Sequence, residues 1–540
     1  MSSQISSSAC ELARARFHAA SCAADSLLSR DPYGLDRDVW TRRFLDATLC
    51  LSGLLVNVIE RIDHWAAVAP ETIAHISGDQ TLTYGELSKR SDALAVYLTE
   101  RFGDDRSPIG VLGHREPEML IAFLGTAKSG RPYVPIDTLL PRPRVEKILA
   151  ISRAAMLLSA EEVAQLSRRK IRGRRKFLER NAPFYILFTS GSTGEPKGVI
   201  ITLACLEHFI SWMLAEQQFA ERAEVFLNQA PFSFDLSVMD LYCSLATGGT
   251  LFSVNRDLIE NPKQLYRALA NSGVTTWIST PSFARMCLVE QKFTEAMLPR
   301  ARRFLFCGET LAPQTAAELL GRFPRAQVWN MYGPTEATVA TTSIRIDDSI
   351  LQKYSALPVG RAMPGTQILV VDQNCHELPA NERGGIIIAG PNVSPGYIGR
   401  PDLTARAFFE RRGQRAYKTG DLGRFRDGLL FFEGRVDEQI KLSGYRIELG
   451  DVEANLRMLP AVRDAVVIPV IKNDTAQSLA ACVLLDARNE TSDFELAHSL
   501  RTQLSDRLPT YMLPRKFVFL DMFPMTANGK VDRTALARSL

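Results

Sequence analysis

Residues 185–199 read Y-I-L-F-T-S-G-S-T-G-E-P-K-G-V. A run of large apolar side chains, the kind that forms a buried strand, ends in Gly, Ser, Thr and Pro with one lysine. Glycines at 191, 194 and 198 let backbone N–H groups turn toward an anion. Thr189, Ser190, Ser192 and Thr193 add hydroxyl donors, and Lys197 adds a point charge. Flexible linkers share this composition, but a linker needs no buried strand leading into it. The segment is therefore read as a phosphate-binding loop. It is not a Walker A loop, which places Gly-Lys-Ser/Thr at the start of a helix. Here Lys197 follows Pro196 and precedes Gly198, which disfavours a P-loop NTPase.

Outward from this loop the pattern is that of a layered α/β protein. A strand is expected over Ile109–Leu112, a helix over Pro117–Ser129 and a strand within Gly130–Ile136. Strands dominate near 355–435, in Gly-bounded runs such as Gly385–Gly390 and Gly428–Gly434. After Asp437 about 100 residues carry strands at Ala465–Val470 and Ala480–Leu485 and a helix around Phe494–Leu508, the size of a small separate domain. The expected organisation is a helical extension over 1–54, a large multi-sheet domain over 55–436 and a small α+β domain over 437–540.

The 540 residues carry a formal charge of +4 at pH 7, with 46% apolar and 23% charged residues. These values are ordinary for a globular protein and give no preference for nucleic acid or a membrane. The basic run Arg168–Lys176 is expected to be a solvated loop. Nine cysteines occur without a C-x-x-C pair, which argues against a zinc site or disulfide framework and fits a reducing cytoplasm. The N-terminus lacks a signal-peptide pattern. The longest uncharged apolar-rich run, Ala47–Ile59, is shorter than the ~20 residues a membrane span needs; a buried or partner-facing helix is expected there.

F-T-S-G-S-T-G-E-P-K-G (188–198) resembles the phosphate loop of the adenylate-forming superfamily, which holds acyl-CoA synthetases, luciferases and adenylation enzymes of nonribosomal peptide assembly. Further similar stretches follow in order: L-T-Y-G-E-L (82–87), N-M-Y-G-P-T-E-A-T (330–338), Y-K-T-G-D-L-G (417–423), G-R-V-D-E-Q-I-K-L-S-G-Y-R-I-E-L (434–449) and N-G-K-V-D-R (528–533). The resemblance covers roughly 55–540. It implies activation of a carboxylate by ATP to an acyl-adenylate, then transfer to a thiol, with Mg²⁺ as cofactor. It also implies a mobile small domain hinged at Asp437, whose rotation exchanges two active-site faces. By the same resemblance Tyr332 stacks on adenine, Thr335 contacts the α-phosphate and Glu336 holds Mg²⁺. Asp421 binds the ribose hydroxyls with help from Arg435, and Lys530 is the catalytic cation. Thr189, Ser190, Gly191, Ser192, Thr193, Gly194, Lys197, Glu309, Asn330 and Gly333 complete the implied ATP site. Lys197 and Thr335 are grouped with Lys530 as catalytic.

Pro231–Tyr242 reads P-F-S-F-D-L-S-V-M-D-L-Y. Asp235 lies between apolar residues, where a carboxylate costs several kcal/mol unless a cation or donors meet it. One reading is a helix N-cap; the other is a carboxylate that pairs with a ligand cation. In the amino-acid-activating branch of the superfamily the matching aspartate pairs with the substrate ammonium, so the resemblance points to an amino acid. It also maps Leu236, Met239, Ile278, Leu305, Cys307, Met331, Val339 and Ala340 to the side-chain end of the pocket. No second charge is present among these residues, and Met239 and Met331 leave room only for a small substrate. F-S-F-D-L-S-V-M-D-L-Y, S-T-P-S-F-A and F-L-F-C-G-E are particularly similar to D-alanine–carrier protein ligases, a group in which the cysteine matching Cys307 abuts the substrate α-carbon.

The expected reaction is thus adenylation of a small amino acid, D-alanine foremost, and transfer to the phosphopantetheine thiol of a carrier protein. With only ten residues after Lys530, the carrier is expected in trans. Met331, where those ligases are expected to have a smaller or polar residue, and the unmatched first 54 residues leave other readings open. These are a stand-alone enzyme for L-alanine, glycine or serine in a peptide pathway, an acyl-CoA synthetase, and a catalytically silent scaffold.

Overall fold

The computed structural model describes residues 57–169, 178–191, 194–436, 439–442, 444–472, 475–486, 492–525 and 531–540. The extension over 1–54, most of the basic run, Ser192, Thr193, Asp437 and Lys530 therefore lie outside the described residues. The apolar run at 47–59 meets a described helix only at its end. That helix is Val58–Val68, and Asn57 starts it by accepting the Glu60 N–H at 3.1 Å, the usual role of an Asn N-cap.

Two sheets dominate the large domain. In the nine-stranded sheet, Val225–Asn228, Thr250–Ser253, Thr276–Ser279, Arg303–Phe306 and Gln327–Tyr332 run parallel, in the spatial order 327, 303, 276, 225, 250 by first residue. Thr342–Ile346 and Arg361–Ala362 extend one edge, and Ile73–Ser77 with Gln80–Thr83 the other. The six-stranded sheet runs in the order Gly396–Tyr397, Lys197–Thr202, Pro183–Thr189, Tyr133–Asp137, Ile109–Gly113 and Met156–Ser159. Both sheets feed one apolar cluster that includes Val111, Tyr133 and Tyr185 from one and Ala74, Ile278 and Leu305 from the other. Within it lie the helices Pro117–Lys128 and Leu236–Thr247, buried along their whole lengths. A helix apolar on all sides has no stable place but the interior.

Gln367–Val371, Gly384–Ala389, Phe408–Arg411, Gln414–Arg426 and Leu429–Arg435 make a third, antiparallel sheet. The small domain has its own core, built on Val462–Lys472, Thr475–Leu485 and Lys516–Phe519 with the helices Leu449–Arg457 and Asp493–Ser505. A hairpin, Gln439–Leu442 paired to Tyr445–Glu448, packs Leu442 and Ile447 into the same core. Gly444 sits in the turn at φ +87, a left-handed conformation that favours glycine.

Candidate active site

Parallel strands deliver their following loops to one edge of a sheet, the usual ligand crevice of open α/β folds. Here the loops after Val225–Asn228, Arg303–Phe306 and Gln327–Tyr332 carry Asp235, Cys307 and Thr335. The phosphate loop arrives separately, as the turn of an antiparallel hairpin in which Thr189 pairs with Lys197. Its glycines are needed: a Cβ at Gly191 would run into the Glu195 carbonyl, and Gly194 has φ +82.

These segments enclose a cavity of about 100 Å³. Thr189, Ser190, Gly333, Thr335, Asp421 and Arg435 line it, as do Asp235, Leu236, Cys307 and Val339. Met239, Ile278, Leu305, Met331 and Ala340 are buried in the same apolar cluster as the lining residues Leu236, Cys307 and Val339. Their strands and helix are packed on both faces, so side chains near the site in sequence turn inward. Asn330 is likewise buried and donates to the Pro358 carbonyl at 2.9 Å. Glu309 accepts from the Ser282 N–H at 3.0 Å and the Gly444 N–H at 2.7 Å, and so ties the large domain to the hairpin turn.

Asp235 occupies the N-cap position of Leu236–Thr247 but makes no capping bond. Its carboxylate accepts the Thr335 hydroxyl at 2.6 Å. Burial raises its pKa, partly offset by that hydrogen bond and by the positive charges of Lys441 and Arg446. Lys441 and Arg446 of the small domain line the same cavity, so cations stand beside a pocket whose mapped residues carry no charge other than Asp235. Cys307 is buried, which pushes its thiol up to about 11, so it is a neutral wall residue at physiological pH. Tyr332 donates its hydroxyl to Asp421 at 2.5 Å, and Arg435 pairs with the same carboxylate.

Glu336 is fully buried. It accepts the Tyr397 hydroxyl at 2.8 Å on one oxygen and Arg446 at 2.7 Å on the other. Burial alone would raise its pKa, but Arg446, Lys197 and Tyr397 together hold it down at about 2. Lys197 pairs with Glu448 at 3.1 Å. The Ser190 hydroxyl donates to the Arg446 carbonyl at 2.8 Å and accepts the Glu448 N–H at 3.0 Å. The small domain is further held by the buried pair of Arg144 with Asp451, at 3.3 and 2.8 Å, and by Tyr445, which stacks on Tyr511 and meets Phe234 edge-on at 4.5 Å. Lys441, Arg446 and Glu448 carry no role in the sequence analysis. The available signal was three charged residues on a ten-residue hairpin within the 434–449 stretch.

The family model described as AMP-binding enzyme matches residues 62–398, and that of the AMP-binding enzyme C-terminal domain matches 451–530. The chain belongs to the AMP-binding enzyme family. A Bacillus cereus (strain B4264) protein named D-alanine–D-alanyl carrier protein ligase is 45% identical over 499 residues, spanning 89% of this chain and 99% of that protein. Among solved structures, holo-PA1221, a nonribosomal peptide synthetase protein containing adenylation and carrier domains bound to a vinylsulfonamide inhibitor, superposes with a TM-score of 0.76 at 26% identity, covering 90% of this chain and 84% of that one. The Vibrio cholerae adenylation domain AlmE, in complex with glycyl-adenosine-5'-phosphate, shares the fold with a TM-score of 0.78 at 21% identity, covering 89% and 97%. Among the described residues no helix is long and apolar enough to cross a membrane.

Proposed function

We propose that this AMP-binding enzyme activates D-alanine with ATP and transfers the D-alanyl group to the phosphopantetheine thiol of a separate carrier protein. The observation that carries the reading is Asp235, a half-buried carboxylate that lines the same cavity as Thr189, Ser190 and Thr335 and accepts the Thr335 hydroxyl. A half-buried anion there is stabilised by an ammonium ion, and Leu236, Cys307 and Val339, which line the same cavity, suit a short neutral side chain. The 45% identity to a protein named for this reaction supports the same substrate and partner.

In the first step the D-alanine carboxylate attacks the α-phosphorus, and the bond to the bridging oxygen breaks to release pyrophosphate. Catalysis of such a step is mainly positioning and stabilisation of phosphate charge. Thr335 is assigned to the α-phosphate, Lys530 to the substrate carboxylate and α-phosphate, and Lys197 with residues 189–194 to the departing phosphates. Asp421 and Arg435 are assigned to the ribose and Tyr332 to adenine. In the second step the carrier thiol attacks the acyl carbon and AMP leaves. Rotation about Asp437, between domains bounded at 436 and 437, is assigned to the change between steps.

Glu336 fits a divalent cation by chemistry: it is an ionised, buried carboxylate, the donor that Mg²⁺ takes alongside phosphate oxygens and waters. When bound, Mg²⁺ would neutralise charge on the triphosphate. The reaction is assigned to the cytoplasm, where thiols such as those of Cys205, Cys307 and Cys482 stay reduced.

ATP–pyrophosphate exchange across D- and L-amino acids tests the substrate: D-alanine is expected first, L-alanine and glycine lower. Preference for an aromatic or charged amino acid would overturn the pocket assignment. Efficient thioester formation on free coenzyme A, with none on carrier proteins, would overturn the partner.

A further inference from the structure

Val339 lines the cavity from a turn that its own side chain disfavours. Thr338 and Val339 lie at φ +58 and +68, and a β-branched residue in that left-handed region is an outlier. The Ala340 N–H donates to the Thr338 carbonyl at 2.9 Å. This closes a three-residue turn around Val339 with positive φ, the rare and strained form of such a turn. Strained backbone of this kind persists only where its surroundings over-determine it.

Those surroundings converge on Asn392, which is completely buried. Its Nδ2 donates to the Ala337 carbonyl at 2.8 Å and to the Thr341 hydroxyl at 3.3 Å, and its backbone carbonyl accepts the Thr338 hydroxyl at 2.7 Å. One residue thus holds the chain before, at and after the strained pair. The Thr366 hydroxyl donates to Oδ1 at 2.7 Å. Because the Ala337 carbonyl can only accept, a single orientation of the amide serves both partners. Held in this way, Val339 packs in one apolar cluster with Leu236 and Cys307, and its carbonyl accepts the Cys307 thiol at 3.7 Å.

We propose that Asn392 is a positioning residue for amino-acid selection: by clamping Thr338 and Val339 in the left-handed conformation, it fixes the wall that limits the substrate to a short side chain. The inference rests on the reading of this cavity as the D-alanine pocket. Asn392 lies behind the lining rather than on it, so it acts through Val339. Without the clamp the strained pair relaxes toward negative φ, Val339 leaves its place and a longer side chain is admitted.

The test is ATP–pyrophosphate exchange on the full chain, comparing kcat/KM for D-alanine and for D-2-aminobutyrate, which is one methylene longer. Asn392→Asp keeps the shape and removes both Nδ2 donors. It is expected to lower the ratio of D-alanine to D-2-aminobutyrate activation about tenfold, the scale of one methylene in an apolar pocket, and to leave the KM for ATP unchanged. Thr338→Gly, which takes positive φ freely, is expected to restore most of the ratio in the Asn392→Asp background. A purely structural role would weaken both substrates and ATP together; an unchanged ratio, a parallel rise in the KM for ATP, or no rescue by glycine overturns the proposal. Should Asn392→Asp not fold, Thr366→Val, which removes the donor to Oδ1 at near-constant shape, is expected to lower the ratio in the same direction, and an unchanged ratio there refutes the clamp. Val339→Ala separates the two readings: if it leaves the ratio unchanged, the pocket assignment itself fails, whereas a lowered ratio without an Asn392 or Thr366 effect refutes only the clamp.

Discussion

Replacing Asp235 by Asn removes one negative charge and little else. The amide oxygen still accepts the Thr335 hydroxyl, which lies at 2.6 Å from the native carboxylate, and the side chain keeps its shape, so the helix beginning at Leu236 keeps its start. What disappears is the proposed partner of the substrate ammonium in a half-buried setting. Truncating one member of such a pair costs about 2–5 kcal/mol, or about 30- to 5,000-fold in kcat/KM at 1.36 kcal/mol per tenfold. ATP–pyrophosphate exchange with D-alanine reads this directly, and propionate, which lacks the amine, is the control. D-alanine activation should collapse while the weak propionate signal is retained. Burial raises the Asp235 pKa, so protonation should also raise the wild-type KM for D-alanine as pH falls through that elevated value, with no such dependence in Asp235→Asn. The reasoning is refuted if the variant activates D-alanine as well as the wild type, or if it loses propionate activity equally.

Glu336 is held at about 2, below its ordinary 4.5, so its pairing should stabilise the protein fully above pH 4.5 and less as pH falls toward 2. Unfolding free energies of wild type and Glu336→Gln from urea titrations should therefore differ most near neutrality, by about 3–5 kcal/mol for a broken buried pair, and converge in acid. Asp451→Asn should loosen the small domain by a similar amount, seen as faster hydrogen exchange across 444–457, and the double change Arg144→Met, Asp451→Leu should recover much of the loss. Cys307→Ala should reduce the ratio of D- to L-alanine activation by about tenfold, the scale of a small change in an apolar pocket; an unchanged ratio would remove Cys307 from the pocket. Met331→Ala should cost about 2–5 kcal/mol of stability as a core truncation, measured by thermal unfolding, and leave the order of amino-acid preference unaltered.

Much of the architecture was legible because it rests on local rules. Apolar runs bounded by Gly marked Ile109–Gly113, Gly384–Ala389 and Leu429–Arg435 as strands, and the Gly-Ser-Thr loop at 188–198 could be recognised from conformational freedom and donor chemistry. The Asp235 environment was also readable, since a lone acid among Phe, Leu and Val needs a partner wherever it folds. Membership of the AMP-binding enzymes followed from the order of the short stretches that carry these features.

The pocket wall was not readable in the same way. Met331 and Tyr332 are adjacent in sequence, yet one is packed in the core between the large sheets and the other is bonded to Asp421, because successive residues of a strand point to opposite faces. Which face meets the cavity depends on what packs behind it. The charges of Lys441, Arg446 and Glu448 were visible as residues but not as parts of the site, since their partners Asp235, Glu336 and Lys197 lie more than a hundred positions away. By itself the sequence determined the layers and the Gly-Ser-Thr loop, and it left Asp235 between a helix cap and a partner for a cation, all set by local composition and spacing. Only the tertiary structure decided which side chains form the cavity and that the small domain fills it with charges of its own, because burial and long-range electrostatics belong to the packed chain.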